Sequence, residues 1–303
     1  NVLFGDIRSI EEAVERCPIP GILVNMKKVT YSGAEGVKEE EIARLESTMQ
    51  NIADLFGQRR ETPLLLNEYG ELKAFLTYNA RRKTISTAKK EYVVGGSLLE
   101  TPEGCFLDVL KNGEELLRDV CHMRVAEGAL LSFLYHPALG PLYSVIGQKI
   151  RGGTIGEGSE LRLEIAELDM ENLHLQGSLR IEAERVIGEE TPRLVYGEKV
   201  GRCQLKNVTV VNPGIDTSAS NVYWKDEIQR LCSCQILLRG HSEFVAENVT
   251  LMGNLTFEVP DGMRLEVSQR EGKLEGVLTP IESPSWTWRY ATGLDRGILL
   301  ERY

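Results

Sequence analysis

From residue 152 onward, apolar residues fall at every second position. Leu161, Leu163 and Ile165 alternate with charged neighbours, as do Leu173 and Leu175, then Leu179 and Ile181. Val208 and Val210, Val249 and Leu251, then Leu255, Phe257 and Val259, and finally Met263, Leu265 and Val267 continue the alternation. Period two predicts strands with one buried face. These strands are short, they are separated by a Gly, an Asn or a charged pair, and no helical stretch intervenes over most of the span. One phrase also recurs: NLHLQGSLRIEA begins at Asn172, NVTVVN at Asn207 and NVTLMGNLTFEV at Asn248. Repeated short strands with similar turns mark a solenoid, in which each coil buries its inner face only by stacking on the next. Asn and Gly suit its corners, where left-handed backbone costs them little. The copies stand 35 and 41 residues apart, so insertions interrupt the stack; the polar stretch 189–199 and NPGIDTSASN (212–221) are the candidates. An antiparallel sandwich, which also alternates, is the competing architecture.

Before residue 152 the pattern is mixed. GILVN (21–25) is an apolar extended run. Ile42, Leu45, Met49, Ile52, Leu55 and Phe56 fall at helical spacing behind an acidic first turn, which predicts a helix over 39–56. Residues 72–78 predict a strand, and 106–120 and 142–150 predict helices, with Pro137, Gly140 and Pro141 punctuating the chain between them.

Composition changes the picture mainly by exclusion. At 303 residues, 42% hydrophobic and 26% charged, the chain has the makings of about two globular domains. No apolar run approaches the ~18 residues of a membrane span. A net charge of −10 argues against nucleic acid, which calls for a positive face. Cys17, Cys105, Cys121, Cys203, Cys232 and Cys234 are too scattered for a secreted disulfide framework, which points to a reducing compartment. The Asn-x-Thr triads at Asn207, Asn248 and Asn254 read as strand residues, and Cys232 and Cys234 as core packing. The chain opens at Asn1, which suggests a removed leader or the C-terminal piece of something longer.

Candidate chemistry is sparse. RGGTIGEGSELR (151–162) is rich in glycine, but a phosphate-binding loop needs a helix after it, and here a strand pattern follows; it reads as the turn opening the solenoid. NARRKTISTAKK (79–90) gathers Arg81, Arg82, Lys83, Lys89 and Lys90 in an acidic protein, as either a solvated loop or a phosphate contact. His122, His136, His174 and His241 form no cluster by spacing, and no metal site is read from the sequence. Trp286 and Trp288 are expected to cap the solenoid's end.

Several blocks carry a resemblance: GILVNMKK, LESTMQNIADLF, YNARRKTISTAKK, TPEGCFLDVLKN, HPALGPLYSVIGQKIRGG, GRCQLKNVTVVNPGID and NVYWKDEIQRL. Together they are similar to the C-terminal half of UDP-glucose pyrophosphorylases, in the long plastid-type branch with bacterial relatives. The resemblance implies an α/β fold, the C-terminal part of a Rossmann-like nucleotidyltransferase domain over 1–150. A left-handed parallel β-helix over 151–282 and a C-terminal capping segment over 283–303 follow. It implies a reaction in which UTP and glucose 1-phosphate give UDP-glucose and pyrophosphate, with Mg²⁺. It sets Lys89 on the family's phosphate-contacting lysine, with Lys90 as the alternative, Arg82 on a phosphate-binding arginine, Asn25 on a sugar-binding asparagine and Glu46 on a supporting glutamate. Pro20 and Gly21 replace the family's paired asparagines, which leaves N-acetylglucosamine 1-phosphate as another sugar. No glycine-rich nucleotide loop occurs here, so the expectation is a part, inactive alone, that needs an N-terminal half or another subunit. A non-catalytic module that oligomerises through the β-helix is the alternative. The expected partners are UTP or UDP-glucose and a sugar 1-phosphate, with no nucleic acid and no membrane; the expected compartment is the cytoplasm or the plastid stroma.

Overall fold

The alternation is realised as stacked coils in a computed structural model, which describes residues 4–33, 36–56, 78–127, 131–189, 195–197, 199–293 and 297–303. The chain divides into two compact units, Asn1–Asn79 and Ala80–Tyr303.

The first unit holds α1 (Ile7–Arg16), capped by the Asp6 carboxylate accepting from Ser9 N at 2.9 Å. Strands β1 (Ile22–Gly33) and β2 (Gly36–Ser47) follow, then a 3₁₀ turn over Met49–Leu55. The helix expected over 39–56 is therefore a strand and a 3₁₀ turn. Its apolar spacing suits a helix, but Gly36, at φ 109°, reverses the chain and β2 pairs along its whole length with β1. Glu41 then stands opposite Lys28, and Tyr31 Oη donates to Glu40 at 2.8 Å. Cross-strand pairing outweighs local propensity here. The strand expected over 72–78 lies outside the described residues apart from Tyr78.

In the second unit, a short helix α2 (Arg81–Thr84) precedes α3 (Pro102–Glu115). Thr101 caps α3 by accepting from Gly104 N at 3.1 Å, Pro102 opens it, and a π-helical turn over Leu116–Val120 prolongs it. Strands β3 (Arg124–Val125) and β4 (Ser132–Tyr135) and helix α4 (Tyr143–Lys149) lead into the coils. These are β5 (Ile150–Ile155), β6 (Glu160–Glu164), β7 (Glu167–Gln176) and β8 (Ser178–Ala183). An excursion holding β9 (Gly188–Glu189) and β10 (Val195–Tyr196) leads to β11 (Arg202–Lys206) and β12 (Thr209–Val211). After a second excursion come β13 (Cys234–Leu238), β14 (Glu243–Glu247), β15 (Thr250–Met252), β16 (Leu255–Val259) and β17 (Met263–Arg270). Strand β18 (Lys273–Pro280) turns back antiparallel on β17, and a hairpin of β19 (Trp288–Thr292) and β20 (Ile298–Arg302) ends the chain.

The coils form a parallel β-helix with three faces. Face a stacks the first halves of β5 and β7 with β11, β14 and β17. Face b stacks β3, the second halves of β5 and β7, then β12 and β15. Face c stacks β4, β6, β8, β13 and β16. The pairings are parallel, so the sandwich alternative falls away. Inward positions align from coil to coil: Leu161, Leu179 and Cys234 on face c, and Ile155, Leu175, Val210 and Leu251 on face b, all nearly or fully buried. Each such aliphatic side chain contributes about 1.5–3 kcal/mol by leaving water. Leu116, Leu117 and Ile146 share this core, so the helices before residue 150 belong to the same unit as the coils.

The recurring phrase is one corner repeated. Asn172, Asn207 and Asn248 take φ 55°, 52° and 55° between faces a and b. Asn172 Nδ2 donates to Asn207 Oδ1 at 3.0 Å, and Asn207 Nδ2 to Asn248 Oδ1 at 2.9 Å, a ladder along the stack. The unequal spacing reflects the excursions over 184–201 and 212–233, the first only partly within the described residues.

The segment 283–303, expected to cap the solenoid, is bonded instead along face a through Ser285, Trp286, Trp288 and Arg302, as a strap. The physical reason is a buried row of charge at one position of three coils, Glu167, Arg202 and Glu243. Glu243 accepts from Ser285 N and Oγ at 2.8 and 2.5 Å, and Glu167 from Trp288 N at 3.0 Å. Arg202 donates to the carbonyls of Trp286, Val200 and Gly197 at 2.8, 3.0 and 2.7 Å. The strap supplies the partners that these buried ions need. Among the described residues, no helix is long and apolar enough to cross a membrane.

Candidate functional site

The basic run begins as α2 and continues extended toward the N-terminus of α3. Arg82 donates to Asn112 Oδ1 at 2.7 Å and to the Glu115 carboxylate, while Asn112 Nδ2 donates back to the Arg82 carbonyl at 2.8 Å. Lys83 lies 2.6 Å from Glu115. Arg82 therefore ties α2 to α3. Lys83, then Arg82, hold the Glu115 carboxyl below the usual carboxylate range, against a smaller opposing effect of burial.

Lys89 is held differently. Glu100, at φ 65°, accepts the backbone N–H groups of Lys89 and Lys90 on its carbonyl at 2.8 and 3.1 Å. Its carboxylate lies 3.4 Å from the Lys89 ammonium and 3.3 Å from Arg81. Lys89, chiefly through its hydrogen bond, and then Arg81 draw the Glu100 carboxyl down. The Lys89 side chain is 65% exposed, so this pair is screened and exchangeable. Lys90 is exposed and forms no ion pair with a described residue. Beside them is a hollow of about 240 Å³ lined by Arg81, Arg82, Ser86, Thr87, Glu100 and Asp108. Ser86 Oγ donates to Asp108 at 2.7 Å, and the buried Thr87 Oγ1 has no partner among the described residues.

In the first unit, β1 and β2 bring Asn25 and Glu46 together. Asn25 Nδ2 donates to Glu46 Oε1 at 3.3 Å, and Arg44 Nε reaches the same oxygen at 2.8 Å. Arg44 first and Asn25 second lower the Glu46 pKa. The expected sugar contact and its supporting carboxylate are thus neighbours in one unit, and the cations lie in the other.

Glu100, Asn112 and Glu115 escape sequence reasoning because each meets its partners across 11 to 33 residues of chain. Among the described residues, no group of three or more His, Cys, Asp or Glu is placed to hold a metal ion. Cys234 is buried with its thiol pushed up to about 12 by desolvation, as expected for core packing.

Residues 150–303 match the family model described as UGP3-like, C-terminal hexapeptide repeats. The chain is 39% identical over 318 aligned residues to UTP--glucose-1-phosphate uridylyltransferase 3, chloroplastic, of Arabidopsis thaliana. That match covers 96% of this chain and 36% of the relative, so the chain spans just over a third of the length of the protein it resembles. No solved structure matches it.

Proposed function

The chain belongs to the family of UGP3-like C-terminal hexapeptide repeats, and from that premise we propose that it is the C-terminal part of a UDP-glucose-forming uridylyltransferase. The observation that carries this reading is the 96% coverage of the chain at 39% identity, which takes in the basic run and the first unit as well as the coils. In this reading the β-helix winds left-handed, which the match to a hexapeptide-repeat family supports. Residues before it complete a Rossmann-like domain, and the uridine-binding loop and Mg²⁺ sit in the part of the longer protein that this chain does not span.

The reaction joins UTP and glucose 1-phosphate and releases pyrophosphate. A sugar-phosphate oxygen attacks the α-phosphorus while negative charge grows on the departing pyrophosphate. Lys89 and Lys90 close the run as exposed cations, and they neutralise that charge by exchanging Glu100 and water for phosphate oxygens. Arg82 acts as a brace, since Asn112 and Glu115 occupy its guanidinium. Asn25 contacts the sugar, its amide oriented by Glu46. Glucose 1-phosphate is the preferred sugar and N-acetylglucosamine 1-phosphate the alternative. The relative's name says chloroplastic, which supports the plastid stroma over the cytoplasm for this chain.

The test is calorimetric titration of the chain with pyrophosphate and with UDP-glucose, beside a Lys89→Ala, Lys90→Ala double variant. Pyrophosphate binding that disappears in the variant is the expected result; binding indifferent to both lysines refutes the assignment. Self-association through the β-helix is a second reading. It is favoured by β18, which ends the face a sheet with an edge that no strand among the described residues pairs, and by its exposed Val277 and Leu278.

A further inference from the structure

Two of the three faces of the β-helix are overlaid by other parts of the chain. The strap covers face a, and the 212–233 excursion lies on face c through Asp226 with Arg162 at 2.5 Å and Arg230 with Glu160 at 2.6 Å. Face b has no such overlay among the described residues. Its outward positions form two rows, Thr154, His174, Thr209 and Thr250, then Gly156, Gln176, Val211 and Met252. Val211 and Met252 are 37% and 66% exposed.

On this face lies a hollow of about 360 Å³, bounded by Arg124, Thr154, His174, Gln176, Thr209 and Val211. The Gln176 amide lies against Gly156, where a Cβ would stand 1.8 Å from its Oε1 and push this flexible side chain aside. Thr154 Oγ1 and His174 Nδ1 are 2.9 Å apart. With the threonine hydroxyl donating, the imidazole Nε2–H is left to donate to a ligand. The Thr209 hydroxyl adds a donor, and Arg124 is exposed with no ion pair to a described residue. No carboxylate lines the hollow, in a chain of net charge −10; the neighbours in sequence, Glu127 and Glu157, are outside the lining.

We propose that this hollow on face b binds a phosphate-bearing small molecule. A guanidinium, an imidazole and hydroxyls line one hollow with no carboxylate among them, which is the chemistry that selects an oxyanion. The volume admits a body of sugar size behind the phosphate. The site is separate from the basic run and does not rest on the function proposed for it.

The experiment is a titration of the isotopically labelled chain with inorganic phosphate, glucose 6-phosphate and, as a carboxylate control, acetate, followed by ¹H–¹⁵N spectra. Saturable shifts at Thr154, His174 and Thr209 with both phosphates and weaker ones with acetate are expected. Arg124→Ala, at an exposed position, should weaken phosphate binding about tenfold, as loss of a charge-assisted hydrogen bond does. Val211→Glu should abolish it, and Lys89→Ala with Lys90→Ala should leave it unchanged. Absence of saturable shifts at these three residues, or shifts indifferent to Arg124→Ala, overturns the proposal. So does a dimer that Val211→Glu dissociates while phosphate has no effect, which would give face b to a second copy of the chain.

Discussion

Replacing Asn207 separates two contributions that the repeated corner combines. Its φ of 52° lies in the left-handed region, and its side chain links Asn172 to Asn248 through bonds of 3.0 and 2.9 Å. Exposed hydrogen bonds sit at the low end of their range, so losing both costs about 1 kcal/mol. Asn207→Gly loses the ladder but keeps the backbone free, adding about 0.5 kcal/mol for the entropy of a more flexible unfolded chain, about 1.5 kcal/mol in all. Asn207→Ala loses the ladder and also the short polar side chain that lets a residue with a Cβ tolerate left-handed backbone, for about 2.5 kcal/mol in all. With a guanidinium slope of about 5 kcal/mol per M, the unfolding midpoints should fall by about 0.3 M for glycine and about 0.5 M for alanine. Circular dichroism in the strand region reads both. Equal shifts would refute the backbone argument, and a glycine variant as stable as the parent would leave the ladder with no part in the recurrence of the phrase.

The remaining predictions concern buried charge and the opposite corner. Arg202→Met should destabilise by about 3–5 kcal/mol, because Glu167 and Glu243 lose the cation between them; a loss under about 1 kcal/mol by the same unfolding assay would contradict this. Lys149 is 1% exposed with one hydrogen bond, to Ala166 O at 2.8 Å, and burial lowers its pKa from 10.5 to about 8. Because the folded pKa is depressed for a base, the charged form penalises the native state below about pH 8. Stability attributable to this group should then rise by up to about 3 kcal/mol between pH 8 and 10.5. Lys149→Met should remove that rise; an unchanged pH profile in the variant would show that another group causes it. Gly177 and Gly253 mark the same corner on two coils, at φ 114° and 80°. A Cβ at Gly177 would stand 2.1 Å from Asn212 O, whereas at Gly253 nothing lies within 4 Å. Gly177→Ala should lower the thermal midpoint far more than Gly253→Ala, and equal losses would mean that φ alone governs the corner.

The solenoid was legible because its physics is periodic. Inward residues at every second position and an Asn at the corner between faces a and b are properties of single coils, and stacking only repeats them. Pairing across faces was not legible, since the hairpin of β1 and β2 overrode a helical spacing that Ile42, Leu45 and Met49 carry locally. The strap shows the same limit. Trp286 and Trp288 announced a covering role, but its place depended on Glu167, Arg202 and Glu243 coming into line across coils separated by excursions. At the basic run the cations were visible and their partners were not. Glu115 takes Arg82 and Lys83, Glu100 takes Arg81 and Lys89, and Lys90 has no ion pair with a described residue, a distinction made only by the fold.

The most direct test of the proposed function uses the full-length uridylyltransferase that the proposal implies. Exchange of labelled pyrophosphate into UTP in the presence of UDP-glucose reports the uridylyl-transfer step in reverse. The account predicts exchange by the parent and a loss of about 100-fold or more in the Lys89→Ala, Lys90→Ala variant, the order expected when charge stabilisation at the leaving group is removed. Exchange at the parental rate in that variant would contradict it.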